Sequence, residues 1–79
     1  MWGMIMINRI LDIISDYIEA PKGSYNEDTN IFDLGADSLR MLKIIMDIEA
    51  FYNVRFEDKE IVDIRCASDI EKIILEKRA

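Results

Sequence analysis

Histidine is absent from the 79 residues, cysteine, proline and tryptophan occur once each, and glycine three times. Without histidine the chain cannot assemble a Ser-His-Asp or Cys-His nucleophile, nor any zinc site built on imidazole. A single cysteine, Cys66, excludes an internal disulfide framework. In an acidic chain it reads as a small apolar residue in a reducing compartment, which points to the cytoplasm. Basic residues are the minority: ten Lys and Arg against sixteen Asp and Glu leave a formal net charge of −6. That balance argues against nucleic acid, which needs a basic face to displace counterions, and against anionic membrane surfaces. It permits partners with basic docking sites. No apolar run approaches the ~20 residues of a membrane span. The opening MWGMIMINRI is apolar but has no basic residue before it, and Asn8, Arg9 and Asp12 interrupt it early. It is expected to lead into a helix rather than act as a signal sequence, with residues 1–4 frayed.

What is present is helical periodicity. The length suits one small domain, residues 1–79, in which helix packing must supply most of the stability. Ile7, Ile10, Leu11, Ile14 and Ile18 fall on one face of a helix predicted over residues 4–19. Pro21 and Gly23 break it. No period is sustained over residues 21–37, a connection long enough to be tied to function and packed by Ile31, Phe32 and Leu34. A second helix is predicted over residues 38–52, with Asn53 as its stop. Around residues 56–62 there is room for one short helical turn, with Asp58 as its cap. Ser68-Asp69-Ile70-Glu71 reads as a capping box opening the last helix. There Ile70, Ile73 and Ile74 form the buried stripe, and Lys72, Lys77 and Arg78 suit the far end. The fold class is all-α: a small four-helix bundle of three main helices and one short one, with a long loop between the first two.

The second helix has one apolar face too many. At about 100° per residue, Met41, Ile44, Ile45, Ile48, Phe51 and Tyr52 share a broad core face. Arg40, Lys43 and Asp47 form a charged stripe opposite, where Lys43 and Asp47, four apart, can pair. Leu39, Leu42 and Met46 make a second apolar stripe. It either packs under the long loop, Leu39 being the residue best placed for that, or it is a partner-docking strip. A methionine suits an adaptable docking surface.

Residues 33–40 read DLGADSLR. Asp37 or Ser38 can cap the second helix. Ser38 as a hydrolytic nucleophile lacks a base, and the surrounding residues do not form a Gly-x-Ser-x-Gly elbow. A calcium loop starting at Asp28 fails because Phe32 and Asp33 stand where a ligand and a glycine are required. No metal site is expected. The fourth reading is attachment: a hydroxyl at a helix N-terminus is well placed to carry a phosphodiester, and Gly35 lets the chain turn tightly before it.

The stretch Thr29-Asn30-Ile31-Phe32-Asp33-Leu34-Gly35-Ala36-Asp37-Ser38-Leu39 resembles the attachment motif of the acyl carrier protein family. Ile48-Glu49 with Phe51-Tyr52-Asn53-Val54 is similar to the end of that family's second helix, and the likeness covers about residues 5–77. The resemblance implies a protein that is not itself an enzyme. It implies 4′-phosphopantetheine, taken from coenzyme A by a phosphopantetheinyl transferase and joined to Ser38, with Asp37 and Leu39 as flanking recognition residues. Acyl or aminoacyl groups then ride on the arm's thiol as thioesters. Partners would include the loading enzyme and downstream synthases or transferases, docking on Leu39, Arg40, Leu42, Lys43 and Met46, and the carrier would be a monomer. One departure stands out. Fatty-acid carriers of the family place acidic residues just after the serine's leucine, whereas this chain has Arg40 and Lys43. A specialised pathway of fatty-acid or polyketide type is therefore expected. The alternatives are a peptidyl carrier of nonribosomal peptide assembly and, in another class, an unmodified acidic helical adaptor.

Overall fold

Nine isoleucines are sealed from solvent: Ile10, Ile14, Ile31, Ile44, Ile45, Ile48, Ile64, Ile70 and Ile74. Isoleucine is stiff at χ1 and loses less rotamer freedom on burial than methionine or lysine, which matters where a core is small. The computed structural model describes residues 2–78, the first three as backbone only. It has four α-helices in order: α1 (Trp2–Ser15), α2 (Ser38–Tyr52), α3 (Asp58–Ile61) and α4 (Ala67–Arg78), with a 3₁₀ turn at Ile31–Leu34 before α2. This is the expected all-α bundle, in which α1 packs against both α2 and α4. Helix α1 is already formed at Trp2, inside the segment expected to fray; Met1 lies outside the described residues.

Helix α1 stops earlier than its periodicity predicts. The Asp16 and Tyr17 N–H groups bond only three residues back, to Ile13 and Ile14 (3.2 and 2.9 Å), so the last turn tightens. The Ser15 hydroxyl takes the Asp12 carbonyl at 2.6 Å. Ile18 is buried all the same, from the non-helical chain beyond.

The long connection is held by its backbone. Ile31 N–H bonds the Arg65 carbonyl (2.7 Å) and Ser68 N–H bonds the Glu27 carbonyl (3.0 Å), stapling the loop to the approach to α4. Asn30 starts the 3₁₀ turn by accepting from Phe32 N–H at 2.9 Å. With three residues per turn, Ile31 and Leu34 share the inner side. Phe32 therefore points outward, which corrects the expectation that all three pack the loop.

Other expectations also shift. The cap of α3 is Glu57, not Asp58: the Glu57 N–H donates to the Glu60 side chain at 2.8 Å. The Ser68 capping box does not form. Helix α4 begins at Ala67, and Asp69 reaches back to the N–H groups of Arg65 (2.9 Å) and Cys66 (3.3 Å). Ser68 instead donates its hydroxyl to Asp28. On α4, Ala67, Ile70 and Ile74 are buried, whereas Ile73 is half-buried. Phe51 is not core. It is exposed, with Tyr52 edge-on to it and the Arg9 guanidinium 5.1 Å from its ring centre.

Helices α3 and α4 are joined by Lys77 Nζ and Glu60 Oε1 at 2.9 Å. The bond from Glu57 and the Lys77 contact hold the Glu60 carboxyl below the usual glutamate range. A carboxyl depressed on folding stabilises the native state above its unfolded pKa, and that contribution is lost as pH falls through the folded pKa. Glu60→Gln is therefore expected to flatten the acid limb of the Tm-against-pH curve below about pH 4.5. It should leave the limb near neutrality parallel to wild type, as scanning calorimetry across that range would show.

Candidate functional site

The entry to α2 is built residue by residue. Gly35 closes the 3₁₀ turn, its N–H bonding the Phe32 carbonyl at 3.2 Å from a left-handed conformation, φ 98°. A Cβ there would meet nothing within 4 Å, so glycine is required for the backbone conformation rather than for clearance. Ala36 is buried and anchors the next step. Asp37 is the N-cap: its carboxylate accepts from Arg40 N–H at 2.8 Å, and its carbonyl accepts the first helical bond from Met41 at 2.9 Å. The choice between Asp37 and Ser38 as cap is thereby resolved in favour of the aspartate. Asp37→Ala should cost about 1 kcal/mol of stability and Asp37→Asn much less, because asparagine caps equally well; urea unfolding of the two variants checks this.

Ser38 is the first residue of α2 and is exposed. Among the described residues its hydroxyl has no hydrogen-bond partner, while Ser15, Ser24 and Ser68 all use theirs. The first turn of a helix keeps unpaired N–H groups whose partial charge favours an anion. Beside Ser38 lies an apolar groove of about 330 Å³, lined by Phe32, Met41, Leu42, Ile61, Val62 and Arg65. A phosphodiester on the Ser38 oxygen fits these surroundings, since the hydroxyl is open to solvent and a flexible arm has an apolar surface to lie along. Sequence reasoning missed Ile61, Val62 and Arg65 here, because nothing in their local pattern announces a groove shared with α2.

The second apolar stripe is on the outside. Leu39 is 61%, Leu42 43% and Met46 57% exposed, so the loop does not cover them, Leu39 included. The opposite face of α2 buries Met41, Ile44, Ile45 and Ile48 as expected. The charged stripe differs from its prediction. Lys43 and Asp47 do not pair; the Tyr17 hydroxyl instead donates to the Asp47 carboxylate. That bond is made by the protonated phenol to a charged acceptor, and it raises the Tyr17 pKa. Arg40 donates its guanidinium to the Tyr17 carbonyl at 2.9 Å, so it is a tethered cation rather than a freely solvated one. Tyr17 thus fixes two of the stripe's three members, Arg40 and Asp47, a role that no sequence signal announced: these partners lie 23 and 30 residues away.

A family model described as the phosphopantetheine attachment site matches residues 8–74. An acyl carrier protein of Lactobacillus acidophilus is 34% identical over 65 residues, which are 81% of each chain. The chain belongs to the acyl carrier protein family. An acyl carrier protein of Brachyspira hyodysenteriae is 30% identical over 77 residues, covering 95% of this chain and 99% of that one. The crystal structure of an acyl carrier protein from Thermotoga maritima superposes with a TM-score of 0.77 at 27% identity, covering 94% of this chain and 87% of that one. The chain is also 30% identical over 67 residues to a non-reducing polyketide synthase of Didymella fabae, of whose length it spans 2%. Members of the family are carriers rather than catalysts, and phosphopantetheine is their prosthetic group. No helix of this carrier, among the described residues, is long and apolar enough to cross a membrane.

Proposed function

We propose that Ser38 is the residue that carries 4′-phosphopantetheine and that the protein moves acyl groups among enzymes of a specialised fatty-acid or polyketide-type pathway. The observation that carries this reading is the free hydroxyl of Ser38 at the head of α2, released from capping because Asp37 does that work. In the attachment step a phosphopantetheinyl transferase joins the Ser38 oxygen to phosphorus as the pyrophosphate bond of coenzyme A breaks. Adenosine 3′,5′-bisphosphate leaves, and the hydroxyl proton passes to the transferase. The arm supplies a thiol on which acyl groups are held as thioesters. This chain supplies the anchoring oxygen, the helix end that tolerates the phosphodiester charge, and the surface presented to partners.

That surface is the strip Leu39, Leu42 and Met46 beside Arg40 and Lys43, all of them exposed. Three apolar side chains in a row on a charged helix face are costly to leave in water unless something covers them part of the time. The likeness to a polyketide synthase segment agrees with a pathway outside general fatty-acid synthesis. Incubation with coenzyme A and a promiscuous phosphopantetheinyl transferase, followed by intact mass measurement, is expected to show one phosphopantetheine added. No addition under conditions that modify a control carrier would overturn the proposal and favour an unmodified adaptor.

A further inference from the structure

Between Ser38 and Met46 the exposed strip of α2 is bordered by cations, opposite in sign to the net charge of the molecule, and the first acid of the helix, Asp47, comes only after them. From Ser38 to Met46 the only ionisable residues are Arg40 and Lys43, in a chain whose net charge is −6. Ion pairs among the described residues join Lys22 to Asp12, Lys59 to Glu57 and Lys77 to Glu60; neither Arg40 nor Lys43 takes part in one. Asp16 and Glu19 line the same cleft as these two cations, yet neither comes within 4 Å of them in an ion pair. Asp47, the residue spaced to neutralise Lys43, is bound to the Tyr17 hydroxyl instead. The Tyr17 carbonyl holds the Arg40 guanidinium in place, so that cation keeps one position at little further entropy cost on binding. A third cation, Arg65, lines the groove on the other side of Ser38 and is likewise outside any ion pair.

We infer that the enzymes which dock on this carrier present an apolar socket edged by aspartate and glutamate where it seats against α2. This rests on the carrier reading above. Leu39, Leu42 and Met46 fill the socket, while Arg40 and Lys43 face the carboxylate edge. Charges at the border of an interface act mainly on the rate and selectivity of encounter, and like charges brought together there reject the wrong partner. A partner with lysine and arginine at the same edge would meet two cations at the point of closest approach. The −6 net charge attracts such a partner from a distance, but beyond a Debye length of about 8 Å at physiological salt that attraction is screened, and the local pair of cations decides the outcome.

The test uses a carrier-dependent acyltransferase with a lysine- and arginine-lined docking face, alongside the same enzyme with those side chains changed to glutamate. Self-acylation from acyl-coenzyme A checks each enzyme's integrity. The carrier is first loaded, and intact mass confirms the arm; failure at this step overturns the carrier reading. With loaded carrier, kcat/KM for acyl transfer is expected to be about tenfold higher with the acidic-faced enzyme, and to fall with added salt. Arg40→Glu/Lys43→Glu should invert the order of the two enzymes. Tyr17→Phe, which keeps both cations but frees Asp47 to reach Lys43, should narrow the difference to about threefold. Equal rates with the two enzymes, or a charge reversal without effect on their order, would overturn the docking inference while leaving the carrier reading intact.

Discussion

Replacing Ser38 by alanine is expected to abolish phosphopantetheine addition altogether while leaving the fold in place. Loss of an attachment oxygen is an all-or-none change in chemistry, and the chain offers the transferase no other serine or threonine at the start of α2. Stability should move by less than about 0.5 kcal/mol, the usual range for an exposed substitution away from any structural contact. The reason lies in the division of labour at the helix entry: the Asp37 carboxylate satisfies the Arg40 N–H, and the Ser38 hydroxyl bonds nothing. Asp37→Asn tests the complementary half. It keeps the cap, so any loss of modification with that variant reports recognition by the transferase rather than unfolding. Intact mass and a urea melt on the same three samples separate the two effects. A serine variant that lost modification and stability together would show that Ser38 is a structural hydroxyl after all.

How far the sequence led depends on how local the determining interaction is. Helix α2 was legible to the residue at both ends, because its start is set by an aspartate bonding three residues ahead and its end by Asn53 in a left-handed conformation, φ 55°. Its four buried positions followed from periodicity alone. Where a side chain had two suitors, the sequence could not choose between them. Ser68 has the spacing of a capping residue, but Asp28, forty residues earlier, takes its hydroxyl, and Asp69 caps α4 from within. Lys43 has an acid one turn on, but Tyr17 holds that acid from another helix's exit. Phe51 shares the core face on a helical wheel, yet α2 ends one residue later, where the bundle no longer covers it. Periodicity describes a helix of unlimited length; burial depends on where its neighbours stop. At the candidate site, Ser38, Asp37 and the apolar strip were readable because they lie on one element. The tethering of Arg40, and the contribution of Val62 and Arg65 to the groove, depend on segments brought together only by folding.

The sharpest physical consequence of the two-faced helix is that neighbouring residues should behave oppositely. Ile45 is sealed in the core and Met46, the next residue, is more than half exposed. Ile45→Ala removes a buried side chain from a well-packed interior, which costs about 2–5 kcal/mol through lost transfer energy and the cavity left behind. A core of this size rarely supplies more than about 3–5 kcal/mol in total. A substantial fraction of Ile45→Ala molecules should therefore be unfolded at 25 °C, and modification by the transferase should fall only in proportion to the folded fraction. Met46→Ala should change stability by less than about 0.5 kcal/mol, since alanine is the better helix former and little burial is lost. Its effect should appear in partner-dependent acyl transfer instead, as a raised KM with phosphopantetheine loading unchanged. Circular dichroism melts and transfer kinetics on both variants decide the matter. If Met46→Ala unfolded the protein as readily as Ile45→Ala, the outer strip would be a second core face, and both the docking surface and its acidic-edged partner would fall with it.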